Sequence, residues 1–154
     1  AVQIAIQLGA EVWGTASAAK AEFVRSLGAA RVIDYNETPL GSIDEKFDVV
    51  LDAASRSSFQ EVRGLLNRGG AYVTLLLSPS LFAGMLVSVF SSKRASFVVV
   101  KSRAEDLDQL GRWLGTGQLN ASVERTFGLS EITTALATFE AGGARGKLAV
   151  RITD

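Results

Sequence analysis

The stretch Thr15-Ala16-Ser17-Ala18-Ala19-Lys20 carries a hydroxyl and an ammonium group close together and no carboxylate. Ser17 stands just before a helix-period run, Ala18 to Leu27, whose Phe23, Val24 and Leu27 share a face and which Gly28 ends. That spacing makes Ser17 an N-cap and puts Lys20 in the first helical turn. A cation there opposes the helix dipole, at a cost of a few tenths to about one kcal/mol. A bound phosphate would reverse the sign, with Ser17 donating its hydroxyl and Lys20 pairing with the charge. A plain N-cap beside a solvated lysine accounts for the same residues without a ligand.

Other chemistry is thinly supplied. The 154 residues include no Cys and no His. A disulfide framework, a thiolate or imidazole metal site and a Ser-His-Asp triad are therefore excluded within this sequence. No residue stands out as a general acid or a nucleophile. Lys+Arg and Asp+Glu are equal at 16 each, which removes the electrostatic case for nucleic acid or an anionic membrane as a partner.

The elements that must position these groups alternate along the chain. Ala1 to Leu8 reads as a helix tail, Glu11 to Thr15 as a strand, Ala18 to Leu27 as a helix and Arg31 to Asp34 as a strand. A surface loop, Pro39 to Lys46, leads to the clearest strand, Phe47 to Asp52, nearly continuous in apolar residues as a strand covered on both faces should be. Next come a helix from Ser57 to Leu66 ended by Asn67-Arg68-Gly69-Gly70, a strand from Ala71 to Leu77, an apolar helix from Leu81 to Phe90 and a Val-rich strand from Ala95 to Val100. Ser102-Arg103-Ala104-Glu105 reads as a capping box opening a helix that buries Leu107, Leu110, Trp113 and Leu114. A strand from Ser122 to Phe127 follows. A helix capped by Ser130, with Ile132, Leu136 and Phe139 inward, is stopped by Gly142-Gly143, and Leu148 to Ile152 is the last strand. Strands separated by amphipathic helices imply right-handed crossovers and an α/β fold with a mostly parallel sheet. Ala71 to Phe90 has no charge and is long enough to span a bilayer, but Pro79 and several polar residues interrupt it, so no membrane span is expected. Ala1-Val2-Gln3 lacks a basic n-region, so no secretory leader is expected and the protein reads as cytoplasmic.

Several phrases, in order, resemble the medium-chain dehydrogenase/reductase superfamily, nearest its quinone oxidoreductase and enoyl reductase branch. They are Ala1-Val2-Gln3-Ile4-Ala5, Leu8-Gly9-Ala10-Glu11-Val12, Leu27-Gly28-Ala29, Val32-Ile33-Asp34-Tyr35, Phe47-Asp48-Val49-Val50-Leu51-Asp52, Leu66-Asn67-Arg68-Gly69-Gly70 and Gly146-Lys147. The resemblance implies a Rossmann-like doubly wound parallel sheet, strand order 3-2-1-4-5-6. The sequence begins at the helix after the family's Gly-rich turn, so the first, central strand, the pyrophosphate cradle and the catalytic domain lie outside it. Residues 1–154 then read as an incomplete nucleotide-binding domain, with about 121–154 returning toward the absent domain. Losing a central strand removes roughly 6 to 12 kcal/mol of burial at ~1.5 to 3 kcal/mol for each of about four side chains, so the segment alone is expected to be unstable, or to close the gap by rearrangement or strand exchange.

In a doubly wound fold the end of the second strand faces the adenosine ribose, where an acid favours NAD and its absence permits a 2'-phosphate. The resemblance points the same way, because NADPH-using members carry Ser and Lys at the positions of Ser17 and Lys20. It further implies that Tyr35 contacts the adenosine phosphate, against packing as a rim aromatic. Ala53 and Ala54 are small enough for a ribose or adenine to approach, and equally suit a tight turn capped by Ser55 or Ser57. Leu76, with Leu75 and Leu77, falls near the nicotinamide, though core packing explains leucines as well. The implied activity is hydride transfer from NADPH to a quinone, enone or other activated carbonyl, with a small-molecule substrate. Phe97 to Val100, an apolar edge without a charge, is expected to pair across a two-fold axis in a homodimer, against cover by Leu81 to Phe90. Two other readings stay open. One is a class I methyltransferase, disfavoured by Ser17 where an acid should stand and by the lack of a terminal hairpin signal. The other is a non-catalytic nucleotide-binding module.

Overall fold

A computed structural model describes residues 1–142 and 144–152. Two compact units make up the chain: Ala1–Asp34 with Arg103–Asp154, and Tyr35–Ser102.

The first unit contains helix α1 (Val2–Gln7), strand β1 (Trp13–Ala16), helix α2 (Ala18–Ser26) and strand β2 (Arg31–Asp34). β1 and β2 pair in parallel, from Trp13 opposite Arg31 to Ala16 opposite Asp34. Gly14 brings helix and strand close, because a Cβ there would come 2.8 Å from Val24 Cγ1. Gly28, at φ +98°, closes α2 in the left-handed conformation glycine adopts without a Cβ penalty.

The C-terminal part of the chain adds helix α5 (Ala104–Gly115), strand β6 (Val123–Gly128), helix α6 (Ile132–Ala141) and strand β7 (Lys147–Arg151). β6 and β7 pair in parallel. Gly146, at φ +127°, lies so near the Ser122 carbonyl that any side chain would strike it, and Lys147 N–H donates to the same oxygen at 2.8 Å. The Gly146-Lys147 phrase is thus the joint that starts this pairing. Gln3 and Gln7 hold α1 to residues 118–120: Gln3 accepts from Asn120 N–H at 2.7 Å and donates to its carbonyl at 3.2 Å, and Gln7 donates to the Gln118 carbonyl at 3.1 Å.

The second unit is a parallel sheet ordered β3-β4-β5, built from β3 (Phe47–Asp52), β4 (Leu66–Thr74) and β5 (Arg94–Phe97), with helices α3 (Phe59–Val62) and α4 (Pro79–Val89). Phe59, Val62, Leu66, Tyr72, Leu81 and Ala95 form its core. The C-terminal ends of β3 and β4 are level, with Asp52 opposite Thr74.

Every strand pair among the described residues is parallel, as the alternation implied. Several local expectations are corrected. The helix expected over Ser57–Leu66 is only α3 plus a 3-10 turn, Arg63–Leu65, and Asn67 to Gly70 belong to β4. Phe59, Val62 and Leu65 are spaced by three and all buried, which suits a tightened helix ending in 3-10 geometry. A capping box opens α3, with Ser58 N–H donating to Glu61 at 2.7 Å. None forms at Ser102 to Glu105, where Arg103 is the N-cap and no side chain caps α5. Ser130 does not cap α6 either. It sits in a 3-10 turn, and Glu131 accepts the Gly128 N–H at 2.9 Å.

The inward faces also differ. Leu107 and Leu114 on α5 are exposed and Leu110 and Trp113 half-buried, while α6 buries Ala135 and exposes Ile132, Leu136 and Phe139. Periodicity marks an apolar face, but burial also needs an element to lie against it. β5 stops at Phe97, leaving Val98, Val99 and Val100 exposed beyond the strand. Gly142 follows α6 at φ +71°, and Gly143 lies outside the described residues. Among the described residues no helix is long and apolar enough to cross a membrane.

Candidate functional site

Strand β1 delivers Ser17 to the start of α2. Ser17 is extended (φ −72°, ψ 158°), as an N-cap must be, and its carbonyl accepts the Lys20 N–H at 2.9 Å. Its side chain makes no capping bond, and the first turn of α2 holds no acid. Lys20 is half-buried and forms no salt bridge among the described residues. The ion pair on α2 is Arg25–Glu22, at 3.2 Å. A spare hydroxyl and an unpaired ammonium therefore share one helix start whose N–H groups favour negative charge.

The remaining expected residues belong to the second unit. Tyr35 follows β2 in the chain and is exposed. Ala53 and Ala54 lie exposed in the turn after β3. Leu75, Leu76 and Leu77 follow β4 and are all exposed, Leu76 at 63%, so core packing does not account for them. Because β3 and β4 end level, Ala53 and Leu75 leave the same edge of the sheet.

The residues that organise that edge are not among those the sequence pattern marks. Asp52, last in β3, accepts from Ser57 N–H at 2.8 Å, Arg56 N–H at 3.2 Å and the Tyr72 hydroxyl at 3.0 Å. Tyr72 Oη also lies 2.8 Å from the Ser57 carbonyl, so its one proton is shared between two acceptors. Burial, then the hydrogen bond and negative charge of Asp52, push the Tyr72 phenol up to about 12. Ser55 is held at φ +51°, a left-handed conformation costing an L-residue about 1–2 kcal/mol. Its hydroxyl lies 2.9 Å from that of buried Thr74. The available signal was an Asp ending a strand ahead of a Ser-rich turn, an arrangement in which a carboxylate bonds the backbone a few residues on.

No group of three or more acidic, Cys or His side chains able to hold a metal occurs among the described residues. A family model described as zinc-binding dehydrogenase matches residues 27–150. The chain belongs to the zinc-binding dehydrogenase family. Among its relatives, a trans-enoyl reductase of Aspergillus terreus is 31% identical over 99% of this chain and 48% of its own length. A mitochondrial NAD(P)H oxidoreductase of Mus musculus is 30% identical over 99% of this chain and 44% of its own. The solved quinone oxidoreductase of Coxiella burnetii superposes with a TM-score of 0.82 at 29% identity, covering 99% of this chain and 48% of that one. The chain thus spans about half the length of these relatives. Within the zinc-binding dehydrogenases it resembles the quinone oxidoreductases and enoyl reductases, and its α/β fold is Rossmann-like. The relatives are oxidoreductases, so the methyltransferase alternative is not favoured, and the parallel β6–β7 pair offers no terminal hairpin.

Proposed function

We propose that residues 1–154 are the coenzyme-binding part of an NADPH-dependent oxidoreductase that reduces a quinone, an enone or another activated carbonyl. The observation that carries this reading is the start of α2: a Ser17 hydroxyl that makes no capping bond, a Lys20 without an ion pair among the described residues and no acid in the first turn. These groups fit a 2'-phosphate, which would accept from Ser17 and the helix N–H groups and pair with Lys20. A bare ribose, by contrast, would find no carboxylate to grip it. Ala53, Ala54 and Leu76 would line the coenzyme from the shared end of β3 and β4, and Tyr35 would meet its adenosine part. The bound nicotinamide supplies the hydride; the chain's residues bind and orient it.

Titrating the full-length protein with NADPH, NADH and S-adenosylmethionine tests this. Lys20→Ala should weaken NADPH by about tenfold, the worth of one charge-assisted contact, and leave NADH unchanged. Binding of S-adenosylmethionine, or NADH preferred over NADPH, would overturn the proposal. The proposal includes a homodimer and a cytoplasmic location. Among the described residues β5 hydrogen-bonds to β4 alone, and the exposed Val98 to Val100 extend from its end, so a second copy could add there. Val99→Lys should then yield a monomer in sedimentation, and an unchanged dimer would reject that edge. Fractionation of cells tests the location, several relatives being mitochondrial or chloroplastic by name, and recovery of the protein in an organelle would reject it.

A further inference from the structure

The turn Ala53–Ser57 is fixed from two sides. Asp52 binds the N–H groups of Arg56 and Ser57, while β4 contributes Tyr72 to Asp52 and Ser57, and Thr74 to Ser55. Tyr72 and Thr74 are both buried, and their hydroxyls reach Asp52, Ser57 and Ser55 at the end of the neighbouring strand. The turn pays for this with Ser55 in the left-handed region, while Ala53 and Ala54 stay bare at the end of β3. Strain of this kind persists only where the surroundings over-determine it, and it clusters at ligand clamps.

We propose that Tyr72, Thr74 and Ser55 are positioning residues, which lock the Ala53–Ser57 turn in the shape that receives the coenzyme. This rests on the reading above, and it adds residues that touch no ligand but set the geometry of those that do. Tyr72 is suited to the task because its raised phenol stays protonated, and so remains a donor, across the neutral and moderately alkaline range.

The test uses the full-length protein and measures Kd for NADPH and NADH by nicotinamide fluorescence, with amide exchange at Arg56 and Ser57. Tyr72→Phe keeps the ring and removes the hydroxyl. It should raise both Kd values alike, by about tenfold, and speed exchange at both amides. Lys20→Ala, in contrast, affects NADPH alone. Ser55→Val, ill-suited to positive φ, should bind both coenzymes about tenfold more weakly. Ser55→Asn, which tolerates that backbone and keeps a polar reach to Thr74, should restore binding. A lower melting temperature with wild-type Kd values in Tyr72→Phe would overturn the positioning role and leave the coenzyme reading intact. A protein that binds neither coenzyme would overturn both.

Discussion

At the residue scale, Tyr72 makes a prediction about pH that needs no ligand. Its phenol titrates near 10 in an unfolded chain and near 12 in the fold. Between those values the unfolded chain has lost the proton while the folded one keeps it. The contribution of Tyr72 is therefore complete below pH 10 and disappears as the pH rises to 12. Urea midpoints of the protein should fall across this window more steeply than those of Tyr72→Phe, and parallel curves would reject the assignment. Gly146 makes a second prediction. Its positive φ and its contact with the Ser122 carbonyl leave no room for a methyl group, so Gly146→Ala should cost about 1–3 kcal/mol in a urea melt. The two residues were not equally legible. Gly146 stands out in the sequence as part of the Gly146-Lys147 phrase. Tyr72 sat inside an apolar run, where its hydroxyl gave no sign of a partner twenty residues away.

At the element scale, the short helix α3 depends on its ends. Its capping box satisfies N–H groups that four residues of helix cannot satisfy internally. Ser58→Ala should cost about 1 kcal/mol, read as a lower urea midpoint with an unchanged slope. Element types and their order were legible because strands and helices alternate with clear apolar runs and glycine stops. Arg31–Asp34 and Phe47–Asp52 have the bounds their patterns gave. Burial was less so. The stripes Leu107-Leu110-Leu114 and Ile132-Leu136-Phe139 have helical spacing, yet spacing carries no information about the element that must lie against them. The candidate site divided in the same way. Ser17 and Lys20 were visible because an N-cap and a missing acid are local facts, whereas the Asp52 network joins two strands through parallel pairing.

At the scale of the whole molecule, seven strands among the described residues fall into three sheets of two, three and two strands. Val49 and Leu51 on β3 are exposed at 59% and 47%, unusual for a strand whose apolar run is nearly continuous. With Leu107 and Leu114 on α5 and Ile132, Leu136 and Phe139 on α6, they leave much apolar surface uncovered. Residues 1–154 prepared as an isolated polypeptide should therefore bind anilinonaphthalene sulfonate strongly and melt with low cooperativity. A sharp urea transition without dye binding would show that the segment closes over these faces unaided.

The Gln3 and Gln7 clasp on residues 118–120 has a bearing on synthesis. The first unit is drawn from both ends of the chain, and the contacts that join them span 111 and 117 positions. On a ribosome adding roughly 5–20 residues per second, α1 must wait many seconds for its partners to emerge. The second unit is contiguous and complete well before then. Nascent chains should accordingly leave α1 open to protease cleavage until residues 118–120 have emerged.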